Sequence, residues 1–350
     1  MAKASSGKTK AASSGRGKKA DKKRRSVFGR ILLCLGCLLL AAIVFLFTAP
    51  LTETDRSGTV AGSASWMASL PDDIPLNELT IPGTHDSATA FCQLAYITKC
   101  QYHGIGAQLQ AGYRFLDIRL GIQGDDLILM HGFTKCRTGA FLWDETLTLE
   151  SVLADCYDFL KANPTETILF SVKQEHGDES VKEFQALLRQ HLAKASGSWL
   201  LTDTLPTLGE ARGKIVLLRR YADEAGLGRE AGIPFLWDHQ GGHDDITLDT
   251  VSKDNGTYTL WVQDRYEFDT DDKWNAFVRG ILNSRTGDGH AAVQFLSTKG
   301  SFVQGHPYAF ARKLNQTLTL NNIPAGCGWI VVDFGTAALA QHIYLSNFNR

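Results

Sequence analysis

Short apolar runs recur along the chain after residue 66, with helical patterns between several of them, and this alternation restricts the fold more than any other feature. The runs are rich in β-branched and large aliphatic residues, which is typical of buried strands. Strands that alternate with helices indicate a parallel sheet, and eight such units indicate a closed α/β barrel of the TIM (β/α)8 type. The eight runs are residues 79–81, 114–120, 127–130, 167–172, 214–218, 258–262, 291–296 and 329–332.

Three of the intervening segments place apolar residues three and four positions apart, which predicts helices with one buried face. Asn163 is expected to end the first helix, and Asp271 or Asp272 to cap the third. The residues of the three buried faces are Val152, Leu153, Cys156, Phe159 and Leu160; Val181, Phe184, Leu187 and Leu188; and Trp274, Phe277, Val278, Ile281 and Leu282.

Residues 31–49 contain no charged side chain. At 1.5 Å per residue this segment is just long enough to cross a hydrocarbon layer of about 30 Å, so we predict one transmembrane helix. Residues 1–30 hold eleven Lys or Arg and one acid, and such a basic flank stays in the cytoplasm. The body is then expected on the extracellular side as a membrane-anchored domain, or as a secreted one if the segment is a cleaved signal peptide. A nuclear localisation signal is a third interpretation of the basic cluster, and we favour the uncleaved anchor.

The remainder of the chain has the composition of a globular domain. The whole sequence is 44% hydrophobic and 21% charged. Residues 50–65 read as a polar linker, and residues 66–350 as one catalytic barrel without an internal repeat. After residue 30 the chain carries 25 basic and 36 acidic residues, a net charge of −11. That charge argues against nucleic acid as a partner.

Five cysteines lie outside the apolar segment, without a C-x-x-C pair that would indicate zinc. If the body is extracellular, Cys92, Cys100 and Cys136 are able to supply one disulfide, but the sequence does not choose the pair. Cys156 and Cys327 read equally well as buried apolar side chains.

Polar side chains stand at or just after the end of nearly every predicted strand. In a parallel barrel these positions converge on one mouth, where catalytic residues collect. The positions are His85 and Asp86, Asp117 and Arg119, His131, Lys173 and Glu175, Arg220, Asp264 and Tyr266, Ser297, and Asp333.

Two histidines at one mouth are able to remove one proton and return another near neutral pH. The cations Arg119, Lys173 and Arg220 suit an anionic transition state. The pattern therefore indicates phosphodiester or acyl chemistry by acid–base catalysis. No G-x-S-x-G elbow and no P-loop is present in the sequence, which disfavours acyl transfer and nucleotide hydrolysis.

The motifs themselves carry a family resemblance over residues 66–333. The segments IPGTHDS, QLQAGYRFLDIRL, LMHG, NPTETILFSVKQE, GKIVLLRRY, WVQDRY and GWIVVDF follow one another in this order. This series resembles the bacterial phosphatidylinositol-specific phospholipase C family, which implies a distorted TIM barrel.

The resemblance also implies roles for the residues at the mouth. His85 matches the general base that takes the proton from the inositol 2-hydroxyl, Asp333 the carboxylate that orients it, and His131 the general acid that protonates the diacylglycerol oxygen. Arg119 and Asp86 match the phosphate-contacting pair, with Asp117 beside them. The residues that match the inositol-binding positions are Lys173, Arg220, Asp264 and Tyr266, with Glu175 a neighbour.

The implied products are diacylglycerol and inositol 1,2-cyclic phosphate, made from phosphatidylinositol or from glycosyl-phosphatidylinositol anchors at a membrane. Calcium-dependent members of the wider superfamily place a carboxylate where this chain has Arg119, so we expect calcium-independent catalysis with no metal or other cofactor. The chain is expected to act as a monomer without a nucleic-acid partner. The alternatives are a phosphodiesterase for another lipid headgroup and a catalytically weak lipid- or glycan-binding barrel.

Apolar residues near the mouth suggest contact with lipid, although local packing of the same loops explains them equally well. They are Phe91, Leu94, Tyr96, Ile97 and Tyr102 after the first strand, and Phe302, Val303 and Tyr308 after the seventh.

Overall fold

The computed structural model of the chain describes residues 14–48, 53–55, 58–141, 143–175, 180–241, 251–300 and 306–349. Two compact units are present, Met1–Phe47 and Thr48–Arg350. The predicted rim residues Phe302 and Val303 lie outside the described residues, as do residues 1–13 of the predicted basic segment and residues 50–52 of the predicted linker.

The first unit contains the helix α1 (Ser14–Thr48), which is longer than the predicted apolar segment. It continues upstream through the basic residues because Lys and Arg are good helix formers. Within it, Lys22–Phe45 is the one described segment that is long and apolar enough to cross a membrane. Its side chains are exposed.

The described residues of the second unit form twelve strands. The strands are β1 (Ile81–Thr84), β2 (Phe115–Gln123), β3 (Asp126–His131), β4 (Thr134–Lys135), β5 (Ile168–Gln174), β6 (Trp199–Leu200), β7 (Ile215–Arg219), β8 (Ile233–Pro234), β9 (Val251–Asp254), β10 (Thr259–Gln263), β11 (His290–Phe295) and β12 (Trp329–Val332). Each of the eight predicted apolar runs thus overlaps a strand, and the run at 79–81 does so only at Ile81.

The central sheet has the order β7-β5-β2-β1-β12-β11-β10, and every neighbouring pair in it is parallel. Parallel pairing brings the C-terminal ends of these strands to one face, which we call the mouth. The architecture is a TIM-barrel-like α/β fold.

One predicted barrel strand has a different role. The run at 127–130 lies in β3, which pairs antiparallel with β2 and continues into β4 as a hairpin. The prediction that it is one of eight parallel strands was wrong, because the turn of residues 124–125 is too short for a crossover. The two-residue strand β8, parallel to β7, follows β7 at the edge of the sheet instead.

The last strand of the sheet is β9, which pairs antiparallel with β10. The described strands leave an opening in the ladder between β8 and β9, and backbone pairing does not reach the predicted full closure there. Side chains join the two edges: Tyr258 donates a hydrogen bond to the carbonyl of Pro234 at 2.6 Å, and Asn255 accepts one from the Leu236 amide at 3.0 Å. We call this opening the seam.

The helices of the second unit cover the outside of the sheet. They are α2 (Ala95–Thr98), α3 (Ile105–Ala111), α4 (Leu149–Ala162), α5 (Val181–Ala193), α6 (Leu208–Ala211), α7 (Thr270–Asn283), α8 (Pro307–Thr319) and α9 (Ala337–Tyr344), with short 3-10 turns at Ser63–Ser69, Leu76–Glu78, Ser196–Ser198, Gly228–Ala231 and Leu345–Phe348.

The predicted helical segments lie in α4, α5 and α7, and Asn163 caps the C-terminus of α4 as predicted. The cap of α7 is Asp269, and the prediction of Asp271 or Asp272 was wrong. Asp269 accepts hydrogen bonds from the backbone amides of both of those residues. Leu282 is exposed, whereas Lys273 of the same helix is fully buried.

Lys273 ties α7 to the end of β10. Its Nζ donates to Gln263 Oε1 at 2.8 Å and to the Arg265 carbonyl at 2.9 Å. Burial lowers the pKa of this amine to about 7. The contact fixes the backbone on either side of Asp264.

The end of the sheet opposite the mouth is closed by a buried ion pair. Arg114 lies 2.9 Å from Glu166, and both side chains are fully buried. Arg114 also donates to the carbonyls of Ser63 and Ala64, so contacts of the body extend upstream of Trp66. The ion pair and the hydrogen bonds offset the free-energy cost of burying the charged Arg114 side chain.

Candidate active site

His85 and Asp333 meet at the mouth because their strands are neighbours. In the β1–β12 register Thr84 lies opposite Val332, so the next residue of each strand emerges at the same level. His85 Nδ1 lies 2.7 Å from Asp333 Oδ1. The predicted histidine–carboxylate pair is present.

Arg119, in β2, contacts the other ring nitrogen of His85. Its Nη2 lies 2.7 Å from His85 Nε2. A guanidinium only donates, so the assigned tautomer has an unprotonated Nε2 and a proton on Nδ1 that is donated to Asp333. The nitrogen that faces the cavity is therefore the basic one.

The surroundings of His85 act on its pKa in opposite directions. Burial by itself lowers the pKa, and the Asp333 carboxylate raises it. Arg119 lowers the pKa and Asp117 raises it by smaller amounts, and the net pKa is above the usual value of histidine. The imidazole is thus a stronger base than a free histidine.

Arg119 lies among three carboxylates. It contacts Asp117 Oδ2 at 3.0 Å, Glu175 Oε1 at 3.2 Å and Asp86 Oδ2 at 3.4 Å. Asp117 shares its face of β2 because side chains alternate along a strand. Burial raises the pKa of Asp117, but Arg119 and Arg220 outweigh that effect and bring it to about 2.

His131, at the end of β3, faces Asp86 across the mouth. Its Nδ1 lies 2.6 Å from Asp86 Oδ2. Asp86 has a positive φ of 44°, a conformation that aspartate tolerates better than most residues. Its amide donates to Asp117 Oδ2 at 3.1 Å. The loop after β1 therefore brings both histidines and the arginine into one network.

We call the group of residues around His85, Arg119 and His131 the first wall of the mouth. The predicted inositol-binding residues form a second wall. Arg220 stacks on Trp237, with Cζ 3.6 Å from the ring centroid. Asp264 Oδ2 accepts from Trp237 Nε1 at 3.1 Å and from Arg220 at 3.4 Å. The Tyr266 hydroxyl lies 2.9 Å from His239 Nε2.

Lys173 and Glu175 connect the two walls. Lys173 Nζ forms a short ion pair with Glu175 Oε2, while Glu175 Oε1 contacts Arg119. Burial raises the pKa of Glu175, but Arg119 and then Lys173 outweigh that effect and hold it well below the usual value. Glu175 also accepts from the Gly132 amide at 3.0 Å, next to His131.

These side chains line one cavity of about 520 Å³. Asp86 and Asp117 are almost completely buried beside it and support the lining residues. The predicted site residues that line the cavity are His85, Arg119, His131, Lys173, Glu175, Arg220, Asp264, Tyr266, Ser297 and Asp333.

The cavity also contains residues that the sequence reasoning missed. Trp237 and His239 follow β8, whose two residues make a weak strand signal. The apolar run FLW at 235–237 was the available signal. Gln101, also missed, donates to the carbonyls of His85 and Val332 and so connects the C-terminal ends of β1 and β12.

Most of the predicted lipid-contacting residues pack locally. Tyr102 lies against Phe334 and Tyr308, with ring centroids 5.1 and 6.2 Å away. Ile97 is 47% exposed and lines the cavity. The largest exposed aromatic side chains near the β3–β4 hairpin were not predicted: Phe133, Phe141 and Trp143.

Among the residues that the structure describes, two groups of side chains have the composition of a metal site, and both include Cys100. They are His85, Cys100 and Asp333, and Asp86, Cys100 and His131, with ligand atoms within 4.8 Å of one another. Burial raises the pKa of Cys100 well above its usual value, which disfavours the thiolate that binds metal. The adjacent Arg119 already supplies positive charge.

Residues 73–221 match the family model described as phosphatidylinositol-specific phospholipase C, X domain. This part of the chain is similar to that X domain. A "1-phosphatidylinositol phosphodiesterase" of Staphylococcus aureus is 28% identical over 321 residues, which cover 86% of this chain and 93% of that protein. One of Listeria monocytogenes is 32% identical over 201 residues, which cover 52% and 59%.

Solved structures agree with the phospholipase C fold. A phosphatidylinositol-specific phospholipase C variant from Staphylococcus aureus matches with a TM-score of 0.66 at 25% identity, over 82% of this chain and 98% of that one. The Listeria monocytogenes phospholipase matches with a TM-score of 0.57 at 23% identity, over 81% and 98%, which supports the fold alone.

Proposed function

We propose that this protein is a phospholipase C that cleaves phosphatidylinositol to diacylglycerol and inositol 1,2-cyclic phosphate without a metal ion. The observation that carries the proposal is the contact series from Asp333 through His85 to Arg119, beside the His131–Asp86 pair. The named activity of the relatives supports the same substrate.

In the first half of the reaction, His85 Nε2 takes the proton of the inositol 2-hydroxyl. The resulting oxyanion attacks the phosphorus of the same headgroup, so no enzyme nucleophile is needed, and the fixed ring geometry supplies proximity. Asp333 holds the tautomer and stabilises the imidazolium. Because Arg119 occupies Nε2 in the free enzyme, the substrate hydroxyl must displace this contact, which releases the guanidinium toward the phosphate.

In the second half, the bond between phosphorus and the diacylglycerol oxygen breaks. His131 donates a proton to that oxygen, and Asp86 stabilises the protonated imidazole until then. Arg119 stabilises the charge on the equatorial phosphate oxygens. His85 gains one proton and His131 loses one, so the proton count of the reaction balances. Proton exchange with solvent then restores the starting protonation states.

The second wall of the cavity recognises the headgroup. The face of Trp237 and the planar guanidinium of Arg220 form a rigid corner, and Asp264 offers a carboxylate to ring hydroxyls. Lys173 and Tyr266 provide further hydrogen-bonding groups. Glycosyl-phosphatidylinositol contains the same phosphodiester bond and is a second substrate in this proposal.

The N-terminal helix anchors the enzyme, with its basic end in the cytoplasm and the catalytic unit outside. The segment after the helix contacts the catalytic unit, where Asp55 lies 3.2 Å from His103 in the loop between α2 and α3.

Phosphorus NMR of the full chain with phosphatidylinositol vesicles tests the proposal. A five-membered cyclic phosphate signal is the expected product. A folded protein that yields no such signal would instead favour the lipid- or glycan-binding alternative. Turnover of other phospholipids at equal rates would favour the phosphodiesterase with another headgroup preference.

A further inference from the structure

Cys92 and Cys136 face each other across a short antiparallel contact between the loop after β1 and the end of β4. The amide of the residue after Cys136 donates to the carbonyl of the residue before Cys92 at 2.8 Å. The amide of the residue after Cys92 donates to the carbonyl of the residue before Cys136 at 3.2 Å. These two hydrogen bonds flank the cysteines and leave them as a non-hydrogen-bonded pair.

Residues in a non-hydrogen-bonded antiparallel pair have Cα atoms about 4.5 Å apart and side chains on the same face. That separation lies inside the range that disulfides require, about 4.4–6.8 Å. Both side chains are buried, with exposures of 5% and 0%, so they meet in a place closed to solvent.

The third thiol of this region lies in different surroundings. Cys100 has its Sγ 3.9 Å from His131 Nδ1 and 3.6 Å from the Thr98 carbonyl. It is not in strand register with either of the other two cysteines within the described bridges. The register therefore distinguishes one pair among the three combinations.

We propose that Cys92 and Cys136 form a disulfide in the exported enzyme, while Cys100 remains a thiol. The two thiols lose two protons and two electrons as the S–S bond forms. A disulfide-bearing oxidant of the extracytoplasmic space accepts them and is reduced to its dithiol. The proposal rests on the proposed topology only for access to that oxidant.

The bridge joins the two segments that hold the proposed general acid. Asp86 is in the loop that leads to Cys92, and His131 is in the hairpin that leads to Cys136. Their side chains are 2.6 Å apart. A covalent link between these segments restricts their separation on the side away from the cavity.

Peptide mapping tests the pairing, because trypsin separates the three thiols at Lys99, Arg114 and Lys135. The full chain is produced in bacterial membranes, its thiols are blocked with N-ethylmaleimide before lysis, and it is digested without reductant. The expected product is peptide 57–99 linked to dipeptide 136–137, with peptide 100–114 alkylated. External protease reports in parallel whether the body lies outside the membrane.

Alkylation of both Cys92 and Cys136 in a body that lies outside, or a link that includes Cys100, overturns the proposal. If the body lies inside, the purified chain is treated with the thiol oxidant diamide, and failure of the same pair to link is then decisive against it. The mapping does not measure lipid cleavage, so its outcome is separate from that of the proposed function.

Thermal unfolding gives a second measurement. Reductant is expected to lower the unfolding midpoint of the wild-type chain by about 5 °C, since the bridge restricts the unfolded state. Cys92→Ala/Cys136→Ala is expected to lose this response to reductant. The matched controls Cys156→Ala and Cys327→Ala retain it. An equal response in the double variant contradicts the bridge.

Discussion

Arg119 Nη2 lies 2.7 Å from His85 Nε2, so the free enzyme covers its proposed general base with its proposed phosphate ligand. In the proposed mechanism the two groups separate when a substrate supplies a hydroxyl for one and a phosphate for the other, so that substrate binding exposes the base. The cation and the imidazole lie this close because the guanidinium donates to the unprotonated Nε2.

Substitution of Asp333 tests the orientation of the base. Asp333→Asn is expected to lower kcat by about 10³-fold, because the amide no longer fixes the tautomer or stabilises the imidazolium. Since Asp333 raises the pKa of His85, the acidic limb of the kcat/KM profile should also move to lower pH in the variant. The exposed Asp158→Asn serves as control. An unchanged pH limb would contradict the assignment.

If His131 is the general acid, its contribution to the rate of cleavage should depend on the leaving group. His131→Ala is expected to lower turnover of phosphatidylinositol by about 10²–10⁴-fold, the usual contribution of a general acid. An inositol phosphate ester with a nitrophenol leaving group needs no protonation, so its cleavage should fall less than tenfold. His85→Ala is the comparison, because it should lose activity on both substrates. Equal losses for both variants on both esters would exclude the general-acid role.

Metal independence follows from the fixed guanidinium. We expect full activity in excess EDTA, whereas Arg119→Lys should lose about 10²-fold because an ammonium cannot make the same forked contacts with phosphate. Activity on phosphatidylinositol in the presence and absence of EDTA is the measurement. Complete loss on chelation, restored by Ca²⁺, would overturn the prediction.

Trp237 is predicted to affect recognition more than chemistry. Trp237→Ala removes the surface under Arg220 and a hydrogen bond to Asp264, so KM should rise about tenfold while kcat stays within a factor of two or three. Trp261→Ala, on the same sheet but outside the cavity lining, is the matched control. A loss confined to kcat would instead place Trp237 in the chemical step.

The anchor is predicted to matter only for lipid substrates. A chain that begins at Glu53 keeps the Asp55–His103 contact and should cleave phosphatidylinositol vesicles at least tenfold more slowly than the full chain. Its activity on soluble inositol cyclic phosphate should be unchanged. Equal losses on both substrates would point to damage of the fold rather than loss of the anchor.

Much of the site is predictable from sequence because strand ends in a parallel sheet converge. His85 and Asp333 follow apolar runs, Arg119 lies near the end of one, and the structure brings the three together. The direction of β3 was missed because a run of apolar residues carries no sign of direction. The two-residue turn at 124–125 was the available signal, since such a turn joins antiparallel strands and Gly124 has the positive φ it requires.

Trp237 was missed for a different reason. A strand of two residues has no periodicity to detect, and the position depends on contacts across the seam such as that from Tyr258 to Pro234. The burial of Lys273 was also not predicted, because lysine is usually exposed and its residue type alone predicts a surface position.

The seam separates the residues proposed to transfer protons from Trp237, which is proposed to recognise the headgroup. The proposed base His85 and its partner Asp333 follow neighbouring strands joined by parallel pairing, and the proposed acid His131 ends β3 in the antiparallel hairpin. Trp237 instead follows an edge that, among the described residues, is closed by side chains such as that of Tyr258. Redesign of headgroup selectivity can therefore begin with the residues that follow β8.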